Sequence, residues 1–185
     1  MDHYIDIRLL RDPEFSPAHL MNALFAKLHR ILVQQTSSDL GISFPDAGRR
    51  SGLGACLRLH GKKARLEGLM ACQWLTGMRD HMAQGPITEV PATAGHQVVR
   101  RVQAKSSPDR LRRRQMKRKG WSEEQARAAI PDSVAERLEL PFLTLRSTST
   151  DQHFRLFLEQ KVVPAAMPGD FNAYGLSQSA TVPKF

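Results

Sequence analysis

Residues 3–34 set a strand with one apolar face immediately before a capped amphipathic helix, and that pair restricts the chain to layered folds of both element types. In HYIDIRLL, Ile5, Ile7 and Leu9 alternate with Tyr4, Asp6 and Arg8, the period of two of a half-buried strand. FSPAHLMNALFAKLHRILVQQ then offers Ser16 as N-cap and Pro17 at the first helical position. Its apolar stripe is Leu20, Leu24, Leu28 and Ile31, with Met21, Phe25 and Leu32 beside it. One apolar sheet face and one apolar helix stripe satisfy each other by stacking as layers.

The next segments extend this pattern. GISFP (41–45) and ACLRLHG (55–61) read as strands, KKARLEGLMACQWL as a second helix and PITEVP (86–91) as a further short strand. The order βαββαβ predicts an α+β chain whose N-terminal part is ferredoxin-like, with two helices on one face of an antiparallel sheet and the other face open to a ligand such as RNA. ATAGHQ (92–97) is rich in small and turn-forming residues and marks a boundary between a ferredoxin-like domain, 1–93, and a smaller α+β domain, 94–185. In the second part, Ser107 as cap, Pro108 and Asp109 open a helix over 108–119 that Gly120 stops. SEEQARAAIP opens another with a capping box of Ser122 and Gln125. LPFLTLRSTSTDQHFRLFLEQ reads as two strands around a polar turn, and FNAYGLSQSATVPKF is too mixed to assign.

Charge narrows the partner. The formal net charge is +9, and residues 97–119 hold ten Lys and Arg against the single acid Asp109, so this segment supplies the whole surplus. An anionic partner follows, nucleic acid or an acidic membrane surface. On the 108–119 helix, Arg110, Arg114, Lys117 and Arg118 recur at i, i+4, i+7 and i+8 with Arg113 beside them, while the apolar residues are only Leu111 and Met116. With acids nearly absent to offset the repulsion, this face reads as phosphate-binding rather than merely solvated. Cys56 and Cys72 form no CxxC pair, the histidines show no metal-ligand spacing and there is no paired-carboxylate nuclease motif, so no metal or other cofactor is expected. No apolar run approaches the ~18 residues of a membrane span. MDHYIDIRLL also has no signal-peptide features, so the expected location is the cytoplasm, away from membranes.

The residues by themselves leave the chemistry open. His29 lies at the margin of the first helix's stripe, where position alone describes a half-buried surface histidine. The hydroxyls of RSTST (146–150) suit a hairpin turn, and Phe154 suits either a core or a stacked base. Taken together, however, MDHYIDIRL, LFAKLHRIL, GISFPD, RVQAKSSPDRLRRR, LPFLTLRSTSTDQHFRLF and YGLSQSATVP resemble, in order, segments of the type I-F CRISPR repeat-processing endoribonucleases. PDAGRRSGLGA and EQKVVPAAMPGD match only loosely.

The resemblance implies an N-terminal ferredoxin-like domain and an arginine-rich helix that docks in the major groove of a CRISPR repeat stem-loop. Precursor RNA would be cut at the 3′ base of the hairpin without a metal, and the protein would stay on the guide RNA with the other subunits of the type I-F surveillance complex. His29 would take the proton of the ribose 2′-OH, Ser147 (or Ser149) would hold that ribose, and Tyr174 would position the histidine. Phe154 would stack on the terminal base pair, Arg101 and Gln103 would read base edges, and Arg114 and Arg118 would contact the stem. A neutral imidazole, with an ordinary pKa of about 6.5, suits such proton abstraction at neutral pH. Lys117 and Lys119 stand among the arginines of the helix and cannot give a planar bidentate contact. Two other readings remain: a non-catalytic hairpin-binding assembly subunit, and a helix-turn-helix that binds duplex DNA.

Overall fold

A computed structural model describes residues 1–48, 52–103, 108–132, 138–147 and 151–185. They fall into two compact units, residues 1–102 with 140–185, and residues 103–139.

The first unit opens with β1 (His3–Leu9) and α1 (Pro17–Gln34), then β2 (Gly41–Ser43), β3 (Cys56–Gly61), α2 (Lys63–Ala71) and β4 (Met82–Gln84). The strands run antiparallel in the order β2-β3-β1-β4, and a two-residue strand, β5 (Thr88–Glu89), also pairs with β1. This is the ferredoxin-like order. Ser16 caps α1 by accepting from the His19 amide at 3.2 Å, and Leu24, Phe25 and Leu28 of its stripe are fully buried.

After a turn in which the Ala94 amide donates to the Pro91 carbonyl at 2.9 Å, the chain enters a second antiparallel sheet. Its strands are β6 (Gly95–Val102), β7 (Phe142–Arg146), β8 (His153–Val163) and β9 (Thr181–Lys184), in the order β7-β8-β6-β9. The turn falls where the composition changes, yet one hydrophobic core continues past it. Ile5, Leu24 and Leu59 belong to the same cluster as Val99, Leu143, Leu156 and Val182. The protein is therefore α+β, with both sheets of this unit built on a shared core.

Three elements differ from expectation. The second helix ends at Ala71 instead of reaching Leu75, and Gln73 takes φ +48°. A continuing helix would carry Leu75 about 120° around the axis from Leu69; the turn instead lets Trp74, Leu75 and Met78 all reach the core. The PITEVP strand contracts to β5, and the edge beside it is begun by β4, too short to show a period. The sheet face opposite the helices is covered as well. Arg58 donates to both carboxylate oxygens of Asp6 at 2.7 and 2.9 Å and lies 4.6 Å from the Tyr4 ring centre and 4.0 Å from that of Phe185.

The second unit holds α3 (Pro108–Lys119) and α4 (Glu123–Ala129). Ser107 lies outside the described residues. Gly120, at φ +67°, ends α3 with its amide donating to the Met116 carbonyl, and the Ser122–Gln125 capping box is formed in both directions. Arg112 joins the two helices, donating to the Ile130 carbonyl at 2.8 Å, to Asp109 at 3.1 Å and to Asp132 at 2.6 Å. Among the described residues, no helix is long and apolar enough to cross a membrane.

His60, on the covered sheet face, is wholly buried. Its Nε2 lies 2.8 Å from the Ser43 hydroxyl, and Nδ1 has no partner among the described residues. Burial, reinforced by the Arg58 charge, pushes its pKa down to about 3. Between that value and the unfolded pKa of about 6.5 only the unfolded chain binds the proton, so stability falls as the pH drops. Lowering the pH from 7 to 5 should remove about 2 kcal/mol through this residue. Urea unfolding at the two pH values should show a smaller loss for His60→Gln than for the parent, and equal losses would contradict the assignment.

Candidate active site

Helix α1 leaves His29 at the edge of its buried stripe, one turn from Phe25 and Leu32 and half exposed. The loop between β8 and β9 reaches that edge through a tight turn. The Asn172 carboxamide oxygen accepts from the amides of Tyr174 at 2.9 Å and Leu176 at 3.2 Å, and the Gly175 amide donates to the Asn172 carbonyl at 2.8 Å. Gly175 has φ +69°, and a Cβ there would lie 2.7 Å from Ile42 Cγ2. Only glycine fits both the backbone and the gap. The Gly175 carbonyl in turn accepts from the Ile42 amide of β2 at 3.1 Å, which anchors the turn to the first sheet.

This anchoring sets the Tyr174 ring on His29, with centroids 3.9 Å apart and planes 7° from parallel; Phe25 lies parallel behind Tyr174 at 6.2 Å. His29 Nδ1 is 2.8 Å from the Ala173 carbonyl oxygen. A carbonyl only accepts, so Nδ1 carries the hydrogen and donates, and Nε2 of the neutral ring keeps its lone pair. The stack fixes the ring plane while the hydrogen bond fixes its rotation and tautomer.

A cleft of about 710 Å³ opens here, lined by Ala26, His29, Arg30, Leu145, Arg146, Ser147, Asp151, Phe154 and Tyr174. Ser147 follows β7. Its amide donates to the Gln152 carbonyl and its carbonyl accepts from the Asp151 amide, both at 2.9 Å. Asp151, at φ +57°, forms an ion pair with Arg146 across this turn. Phe154 packs against the core, and the Arg101 guanidinium lies 5.9 Å from the centre of its ring.

His29, Ser147, Tyr174 and Phe154 thus meet in one cleft, with Arg101 against Phe154. Ser149 lies outside the described residues. Gln103 is exposed just beyond β6, and Arg110, Arg113, Arg114, Lys117 and Arg118 are all exposed on α3 of the second unit. Among the described residues, no group of three or more His, Cys, Asp or Glu could hold a metal ion.

The family model for the CRISPR-associated protein Cas_Csy4 matches residues 4–185 of this chain. The chain belongs to the Cas_Csy4 family. Two curated relatives, both named CRISPR-associated endonuclease Cas6/Csy4, align over the full length of either partner. The one from Pseudomonas aeruginosa (strain UCBPP-PA14) is 53% identical over 187 residues, and the one from Escherichia coli (strain UTI89 / UPEC) is 47% identical over 187 residues.

Within this Cas_Csy4 chain the cleft contains residues that motif and spacing left out. Arg30 follows His29 directly, and neighbours in a helix point about 100° apart; only the length of the arginine side chain brings it to the same cleft. Asp151 reads in sequence as part of a polar turn. The Ala173 carbonyl carries no side-chain signal at all. The hydrogen-bond assignment is directly testable: long-range proton–nitrogen spectra of neutral His29 should show the Nδ1–H tautomer, and an Nε2–H tautomer would contradict the role given to Ala173.

Proposed function

We propose that the chain is a metal-independent endoribonuclease that recognises a CRISPR repeat stem-loop and cleaves precursor RNA at the 3′ base of the hairpin. The observation that carries this reading is the His29 ring, held by the Tyr174 stack and the Ala173 carbonyl with Nε2 left as a base. The reaction class accords with the relatives named CRISPR-associated endonucleases.

In this mechanism Nε2 of His29 takes the proton of the 2′-OH before the scissile phosphate. The 2′-oxygen attacks phosphorus, the bond to the 5′-oxygen breaks, and the products are a 2′,3′-cyclic phosphate and a 5′-OH. Ser147 holds the ribose for in-line attack, Tyr174 keeps the imidazole in place, and the gain comes largely from orientation. Phe154 stacks on the terminal base pair, and Arg101 and Gln103 read base edges beside it. Arg110, Arg113, Arg114, Lys117 and Arg118 neutralise stem phosphates, so the RNA-binding surface belongs to residues 94–185, while 1–93 supply the base. So much phosphate neutralisation favours tight product binding, in keeping with a protein that remains on the guide RNA as a subunit of the type I-F surveillance complex in the cytoplasm.

The deciding experiment presents an all-ribose repeat hairpin, and one with a single 2′-deoxy sugar before the scissile phosphate, in excess EDTA. The first should be cut and the second bound intact. His29→Ala should slow cutting by on the order of 10²–10⁴-fold and leave binding nearly unchanged. Hairpin binding without cleavage by the intact protein would return it to a non-catalytic assembly subunit, and equal affinity for DNA of the same sequence would favour the helix-turn-helix reading.

Binding should also weaken steeply with salt. Neutralising about five to eight phosphates gives a slope of roughly −4 to −7 in log K against log salt concentration. A flat response would contradict phosphate docking by α3.

A further inference from the structure

The cleft brings two arginines beside His29, and they are engaged differently. Arg146 is committed to the Asp151 carboxylate within its own hairpin. Among the described residues, Arg30 donates from Nε to the Ala26 carbonyl at 3.4 Å, one turn back along α1. Ala26 and Arg30 both line the cleft. Holding Nε in this way leaves the two terminal nitrogens as a pair of donors, the fork that matches two oxygens of a phosphate.

We propose that Arg30 contacts the non-bridging oxygens of the scissile phosphate and offsets the charge that develops there during cleavage; this rests on the reaction proposed above. In that step the 2′-O–P bond forms as the 2′ proton passes to His29 Nε2. The P–O5′ bond then breaks, and the 5′-oxygen takes a proton from water. As the 2′-oxygen adds, the phosphoryl group gains one negative charge, borne on its non-bridging oxygens. A guanidinium that meets those oxygens from the side of α1 stabilises the transition state more than the ground state. His29 and Arg30, adjacent in sequence, then divide the work: one moves the proton and the other holds the charge.

The test is single-turnover cleavage of the all-ribose hairpin by the full-length protein and by Arg30→Gln and Arg30→Lys. Binding is measured with a stem-loop that ends in a 3′-OH just before the scissile phosphate. Arg30→Gln should cut more slowly by on the order of 10²-fold, with Arg30→Lys in between, and all three should bind the truncated stem-loop equally. Sulfur in place of one non-bridging oxygen should slow the parent for one diastereomer more than the other, and Arg30→Gln should lose that difference. Parent-like cleavage by Arg30→Gln, an unchanged diastereomer preference, or equal loss of truncated stem-loop binding would each overturn the assignment while leaving the His29 mechanism standing. If the parent itself fails to cut the hairpin, the proposed function fails, and the role of Arg30 falls with it.

Discussion

Helix α1 is the element on which the first unit depends, because a single apolar stripe serves two sheets. Leu24, Phe25 and Leu28 are removed from water altogether, each burial being worth about 1.5–3 kcal/mol. The helix also reaches the edge of the second sheet, where the Asn22 side-chain oxygen accepts from the Thr144 amide at 3.0 Å. A helix registered by both a packed stripe and a strand-edge hydrogen bond cannot rotate freely. His29, at the margin of that stripe, inherits a defined position from packing that has nothing to do with chemistry.

The second requirement is that the β8–β9 loop come close enough to place an aromatic ring on that histidine. Two glycines make the approach possible. A Cβ at Gly41 would lie 2.5 Å from Val182 Cγ1 and 2.9 Å from Phe171 Cε1, and one at Gly175 would meet Ile42. The seam between β2 and the C-terminal segments is therefore as thin as backbone allows, and the Asn172 turn sits on it. Tyr174 and Ala173 then constrain the imidazole before any substrate arrives, so orientation is established by folding rather than by binding.

The second unit follows a different logic. Arg110, Arg114 and Arg118 repeat along one line of α3, a spacing that repels in the absence of an anion. The helix buries no residue of its own, and its support comes from Arg112, which is tied to the Ile130 carbonyl and to two aspartates, and from the capped α4 beside it. One arginine of the run thus serves the fold, while Arg110, Arg113, Arg114 and Arg118 stay exposed on the helix surface.

Much of this was legible in the sequence because it is written in local periods. The alternation of β1, the stripe and Ser16 cap of α1, the Ser122–Gln125 box and the charge of α3 are each set within a few residues by backbone geometry and side-chain chemistry. The resemblance of six ordered segments supplied the family and picked out His29, Ser147, Tyr174 and Phe154. Other features depend on what lies across the core: the early end of α2, decided by where Trp74, Leu75 and Met78 could be buried, and the short strand β4. The meeting of His29 with a carbonyl 144 residues away and the entry of Arg30 into the cleft are of the same kind. By itself, then, the sequence determined which segments form elements and where the charge lies, since those follow from nearest neighbours in the chain. Only the tertiary structure decided which side chains share the cleft and which nitrogen of His29 is held, since both are set by packing between segments that sequence distance does not relate.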